Sequence, residues 1–134
     1  MTEQSEKAKS YLKAIRLINI ENGKCDFEIG KIPARQHLNS RYFFAQTEID
    51  AYQKVAHPAP RRQYVVTLKG KLRFKVSNGN TFDIEPGILL IAADTEGEGH
   101  FWEILEGEEW HRLYIPLEAD AEDHFIADER QYNL

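Results

Sequence analysis

Residues 71–76, KLRFKV, alternate strictly between apolar and basic side chains, with Leu72, Phe74 and Val76 on one face and Lys71, Arg73 and Lys75 on the other. A period of two belongs to a half-buried β-strand, because successive side chains leave opposite faces of the backbone. The turn-forming SNGN follows, and TFDIEPG then carries the alternation into a Pro-Gly turn. Before it, QYVVTLKG reads as a strand closed by glycine; after it, ILLIAA is an apolar run of strand length, and HFWEILEG and EWHRLYIPL read as further strands. Nearer the start, AIRLINI and CDFEIGKI flank ENGK, an Asn-Gly hairpin signal. IPARQHLN reads as loop, and SRYFFAQTEI is aromatic and β-branched enough for one more strand. Turn signals recur roughly every 8–12 residues, the spacing of a sandwich or barrel.

The fold class is therefore all-β. With 134 residues the chain supports one domain and one core. Residues 1–12 are polar and read as a mobile arm, 13–117 as the β-domain, and 118–134 as a C-terminal helix or tail. That last expectation rests on LEADAEDHFIADERQY, which loses the strand pattern and opens with the acidic residues that suit a helix N-terminus.

A net charge of -5 gives no electrostatic drive toward a phosphate backbone, so nucleic acid is not an expected partner. No apolar run reaches the roughly 18 residues of a membrane span, and MTEQSEKAKSYLKAIRL has no apolar stretch of a secretory signal. The single cysteine, Cys25, excludes an internal disulfide and suits a reducing compartment, so the expected location is cytoplasmic. Its bland reading is a small buried hydrophobe.

The succession of a strand, KGKL, NGNTFDIEPG, an apolar strand and DTEGEGH resembles the cupin superfamily, whose members are small jelly-roll barrels. In that family a first motif has two histidines one residue apart, then a glutamate and a closing glycine; a second motif runs from a Pro-Gly turn to a third histidine. By this resemblance Gly70 is the closing glycine, Pro86-Gly87 opens the second motif, His57 stands at the first histidine and His100 at the third. Ala59 replaces the second histidine and Gln63 the glutamate; Ala51 and Ile104 replace a glycine and an asparagine at the motif ends. HPAPRRQYV with DTEGEGH is also similar to a group of small bacterial cupin-domain proteins of undefined activity. The resemblance implies a cupin-like jelly-roll barrel, to which the residue pattern adds the short C-terminal helix. It also implies a homodimer, because small cupins often pair through strands or sheet faces, and SRYFFAQTEI is a candidate for that contact.

Two chemistries follow, and the sequence leaves catalysis open. In the first, the barrel binds a small anionic molecule. Strand alternation would turn Gln63, Val65 and Thr67 inward with Arg61, and His100 inward with Trp102 and Ile104. His57, Arg61, Gln63, Thr67, His100 and Trp102 are then the ligand-binding candidates, with Arg61 as the fork that pairs with a carboxylate or phosphate. In the second, the protein is a metal-dependent oxygenase or isomerase. His57, Gln63 and His100 would hold a divalent transition metal (iron, manganese, nickel or zinc), with Asp94, Glu96 or Glu98 in the adjacent turn able to supply a carboxylate. His37, His111 and His124 carry no motif, and Cys25 has no histidine placed beside it by any motif.

Overall fold

A computed structural model of the chain describes residues 10–128. Among them are eight strands: β1 (Tyr11–Asn19), β2 (Cys25–Pro33), β3 (Phe44–Gln46), β4 (Gln63–Val76), β5 (Thr81–Ile84), β6 (Ile88–Ala92), β7 (His100–Pro116) and β8 (Ile126–Ala127). They form one open sheet in the order β3-β7-β4-β6-β1-β2-β8, with β5 paired to β4. The β1–β6 pair is parallel and the other pairs are antiparallel. All-β is the architecture, as the alternation requires.

The Asn-Gly signal between β1 and β2 lies in a short 3-10 turn, Glu21–Gly23, in which Asn22 and Gly23 both take positive φ. The two stretches HFWEILEG and EWHRLYIPL are one continuous 17-residue strand, β7, which runs along β4 from Gln63↔Pro116 to Val76↔His100. Register shifts between Thr67 and Leu72 bend this pair around Gly70. Gly70 has φ +117, and a Cβ there would lie 2.7 Å from the Glu109 carbonyl oxygen, so the bend admits glycine alone without rearrangement.

Strand alternation sorts the apolar side chains onto two faces. Ile15, Leu17, Val65, Leu72, Phe74, Val76, Leu90, Trp110 and Tyr114 belong to the larger cluster. Their neighbours in the strands, Ala14, Tyr64 and Ile91, belong to a second cluster covered by Leu117, Ala121 and Phe125. Phe74, only 1% exposed, stacks on Phe82 at 5.2 Å and meets Trp110 edge-on at 6.0 Å. Burying a side chain of that size stabilises the fold by about 2–3 kcal/mol.

The N-terminal boundary lies slightly earlier than the sequence suggests, since Tyr11 and Leu12 already pair with Pro33 and Ile32; residues 1–9 of the expected arm lie outside the described residues. The expected C-terminal helix needs correction. Residues 118–128 contain no helix, His124 has φ 62, and β8 pairs with Gly30 and Lys31 of β2. The physical reason is competition for the backbone. Arg62 donates to the carbonyls of Ala119 and Ala121, the Tyr64 hydroxyl donates to that of Asp123, and the Asp123 carboxylate takes the amide of Phe125 and the guanidinium of Arg16. Groups that a helix would pair internally are committed elsewhere. Residues 129–134 lie outside the described region.

Candidate functional site

The segment between the 3-10 turn Ala51–Lys54 and β4 crosses one end of the sheet and places His57 beside His100, the first residue of β7. Their backbones exchange two hydrogen bonds of 2.9 Å, and the Ala59 amide donates to the Asp94 carbonyl at 2.9 Å. Gly99 makes this contact possible: its φ is +74, and a Cβ would fall 2.0 Å from the His57 carbonyl oxygen. Pro58 and Pro60 fix φ on either side of Ala59 and hold the segment extended.

Beneath this rim lies a small cavity of about 30 Å³, room for roughly one or two water molecules. Its lining includes His57, Gln63, His100 and Trp102 together with Gln53 and Tyr114, over Val65, Leu90 and Ala92. Four of the six sequence candidates thus meet at one place. Arg61 and Thr67 do not line it. Arg61 precedes the start of β4, so strand alternation does not reach it; it is exposed and donates to Gln63 Oε1 at 3.2 Å. Thr67 is buried, and its hydroxyl accepts the Trp110 indole N–H at 3.0 Å.

Behind the cavity sits a residue that the sequence reading passed over. Arg112 is fully buried and has no carboxylate partner among the described residues. It donates from Nε to the Tyr114 hydroxyl at 2.9 Å, and from its other nitrogens to the carbonyls of Trp110 and Glu48 and to Gln53 Oε1. Its guanidinium carbon lies 4.5 Å from the centroid of the Trp110 ring. Gln53 Nε2 also donates to the Tyr114 hydroxyl, at 3.1 Å. The phenolic oxygen therefore accepts twice, and its own hydrogen has no acceptor among the described residues. Because an arginine only donates, Oε1 of Gln63 must face Arg61, and its amide NH2 is left without an acceptor among the described residues. The half-buried Trp102 also lines the cavity, and none of the described residues lining it is an Asp or Glu.

On the other side of His100 the chemistry is acidic. His100 Nδ1 lies 2.5 Å from Asp94 Oδ2, and the Cys25 thiol donates to the same oxygen at 3.3 Å. A carboxylate accepts only, so Nδ1 carries the proton and Nε2 is the remaining atom of the ring. Cys25 and Asp94 are both 0% exposed, and Asp94 Oδ1 has no hydrogen-bond partner among the described residues. Burial first, and then the Asp94 charge, push the Cys25 thiol well up, so it stays protonated at neutral pH. Cys25, Asp94 and His100 offer ligand atoms within 4.8 Å of one another and could hold a metal ion. Of the turn carboxylates expected to supply a ligand beside His57 and Gln63, Asp94 reaches His100 but does not line the cavity; Glu96 and Glu98 are exposed, and Glu98 pairs with Lys24 at 3.0 Å. Cys25 was not anticipated, since only the fold brings it to residues some seventy positions later.

His57 Nδ1 donates to the Val55 carbonyl at 2.8 Å, and its ring centroid is 4.8 Å from that of His100. Burial lowers its pKa, with His100 adding to the effect, against opposing contributions from the Val55 carbonyl and Asp94. The other unassigned histidines lie away from the cavity: His37 is exposed, His111 is 3.6 Å from Glu109, and His124 Nε2 meets the His37 carbonyl. A wider depression of about 550 Å³ lies around Lys69–Lys71 and Glu106–Glu109. Both of its lysines are engaged by glutamates, Lys69 with Glu109 at 2.9 Å and Lys71 with Glu106 at 3.8 Å.

No helix among the described residues is long and apolar enough to cross a membrane. No protein-family model matches the chain, and no curated protein matches it in sequence.

Proposed function

We propose that this chain is a cytoplasmic, cupin-like β-barrel protein that binds a small anionic molecule at the cavity beneath His57 and His100. The motif order around Gly70, Pro86-Gly87 and His100 supports the cupin part of the reading, and one all-β sheet is consistent with it. The anion rests on a single observation. Tyr114 and Gln63 each present a donor with no acceptor among the described residues, none of the described residues lining the cavity is a carboxylate, and the buried Arg112 cation polarises the Tyr114 hydroxyl. These donors converge on a cavity with room for one or two waters, and an oxyanion in their place supplies acceptors for all of them. The cationic role expected of Arg61 passes to Arg112, acting through Tyr114 and Gln53.

The ligand is compact, a small carboxylate or inorganic phosphate, because the cavity is small and its rim must move outward to admit more than a few atoms. Titration with acetate, oxalate, pyruvate and phosphate, followed by amide chemical shifts, tests this. Saturable shifts at Gln63, His100 and Tyr114 support it; unchanged spectra with every anion contradict it.

A second reading, a metal-dependent oxygenase or isomerase using His57, Gln63 and His100, is favoured by the 4.8 Å approach of the two rings. It lacks a carboxylate among the described residues at the cavity to offset the cation's charge. Metal retention that disappears in His57→Ala would select it. The homodimer belongs to the same cupin reading. β3 is an edge strand, and beside it Tyr42 and Phe43 are 53% and 68% exposed, the surface a second copy would cover. Sedimentation at a monomer's rate would remove that part.

A further inference from the structure

We propose that Cys25 Sγ, the Asp94 carboxylate and His100 Nδ1 form a binding site for a divalent transition metal, zinc by ligand chemistry, distinct from the His57–Gln63–His100 set. The three groups come from separate parts of the chain, the start of β2, the turn after β6 and the start of β7, and their ligand atoms lie within 4.8 Å of one another. Thiolate, imidazole and carboxylate together are donors of zinc sites, and three protein ligands leave a fourth position for water. One thiolate and one carboxylate neutralise a divalent ion, so the loaded site carries no net charge.

An independent feature of the same place points to a cation. Asp94 is completely buried, and Asp94 Oδ1 has no donor among the described residues. A buried carboxylate oxygen without a partner loses its hydration with nothing in return, and natural structures seldom leave one so. Cys25 and His100 satisfy only Oδ2. An ion held by the carboxylate would meet the charge that these two donors leave half-satisfied.

Proton balance follows from the hydrogen bonds already present. The ion replaces the thiol hydrogen of Cys25, which leaves to solvent. It also takes the Nδ1 lone pair of His100, whose proton moves to Nε2 if the ring is neutral. One proton is then released per ion bound, and two if His100 begins as imidazolium. Asp94 Oδ2 and His100 Nδ1, now 2.5 Å apart, must separate by about 1 Å to become ligands of one tetrahedral ion.

The test uses the full chain without an affinity tag, loaded with zinc and, separately, with cobalt(II) as a spectroscopic probe. The expected result is about one zinc per chain after dialysis, and a thiolate-to-cobalt charge-transfer band in the near ultraviolet. Cys25→Ser keeps a hydrogen-bond donor to Asp94, so the fold survives; it should abolish the band and weaken zinc binding at least about tenfold. Asp94→Asn should weaken zinc to a similar degree, whereas His57→Ala and Tyr114→Phe should leave it within about threefold. Absence of the band, or equal zinc affinity in Cys25→Ser, overturns the proposal. So does metal lost in His57→Ala and kept in Cys25→Ser. Because Tyr114→Phe reads the anion cavity and not the metal, failure here leaves the anion reading standing.

Discussion

The Nε–H of Arg112 donates to the hydroxyl of Tyr114 at 2.9 Å, and this bond joins a fully buried cation to the wall of the cavity. The guanidinium also ties β7 to the 3-10 turn through the carbonyl of Glu48 and the amide of Gln53. Arg112→Lys keeps the charge but loses the planar fork that reaches four partners. Urea unfolding should show a loss of about 2–4 kcal/mol. A variant as stable as the parent would mean that this network does not hold the turn in place.

Gly99 sets how closely the rim sits on β7. Gly99→Ala introduces a Cβ that collides with the His57 backbone at a φ of +74. The two hydrogen bonds between His57 and His100 should break, and stability should fall by about 2–3 kcal/mol. Amide hydrogen exchange at His57 and His100 is the direct reading; unchanged protection at both would show that the rim is anchored by something else.

Acid should weaken the fold through His57. Its folded pKa lies below the ordinary histidine value of 6.5, chiefly through burial, so the folded state disfavours the imidazolium. A depressed pKa contributes stability that is present above the unfolded value and lost as pH falls through the folded one. The melting temperature should therefore decline as pH drops below about 6.5, and His57→Gln should flatten part of that decline. Parallel profiles for variant and parent would assign the acid sensitivity to other groups.

Much of this architecture can be read in the sequence wherever the pattern is local. KLRFKV, the Asn-Gly turns and ILLIAA each encode a strand or a turn within a few residues, and they lie in β4, the β1–β2 and β4–β5 connections, and β6. His57, Gln63, His100 and Trp102 come together because the rim and two strands carry them there. Arg61 shows where alternation ends, since it lies just ahead of β4. Arg112 alternates with Trp110 and Tyr114, a signal present in EWHRLYIPL, but a charged residue on an inward face reads as an exception until its partners are seen. Cys25 and Gln53 had no local signal at all, because their roles depend on contacts across the fold. The acidic C-terminal stretch shows the reverse case: its helix signal loses to side chains that capture its carbonyls.

Whether the Tyr114 hydroxyl meets an anion decides the function of this cavity. Calorimetric titration of the parent protein and of Tyr114→Phe with oxalate and with inorganic phosphate measures this directly. The phenyl ring fills the same space, and Arg112 retains its other bonds. Removal of one charge-assisted donor should weaken binding by about tenfold or more with the fold intact. Equal affinity in the two proteins, or no heat from either anion with the parent, would contradict the claim that this cavity is an anion site.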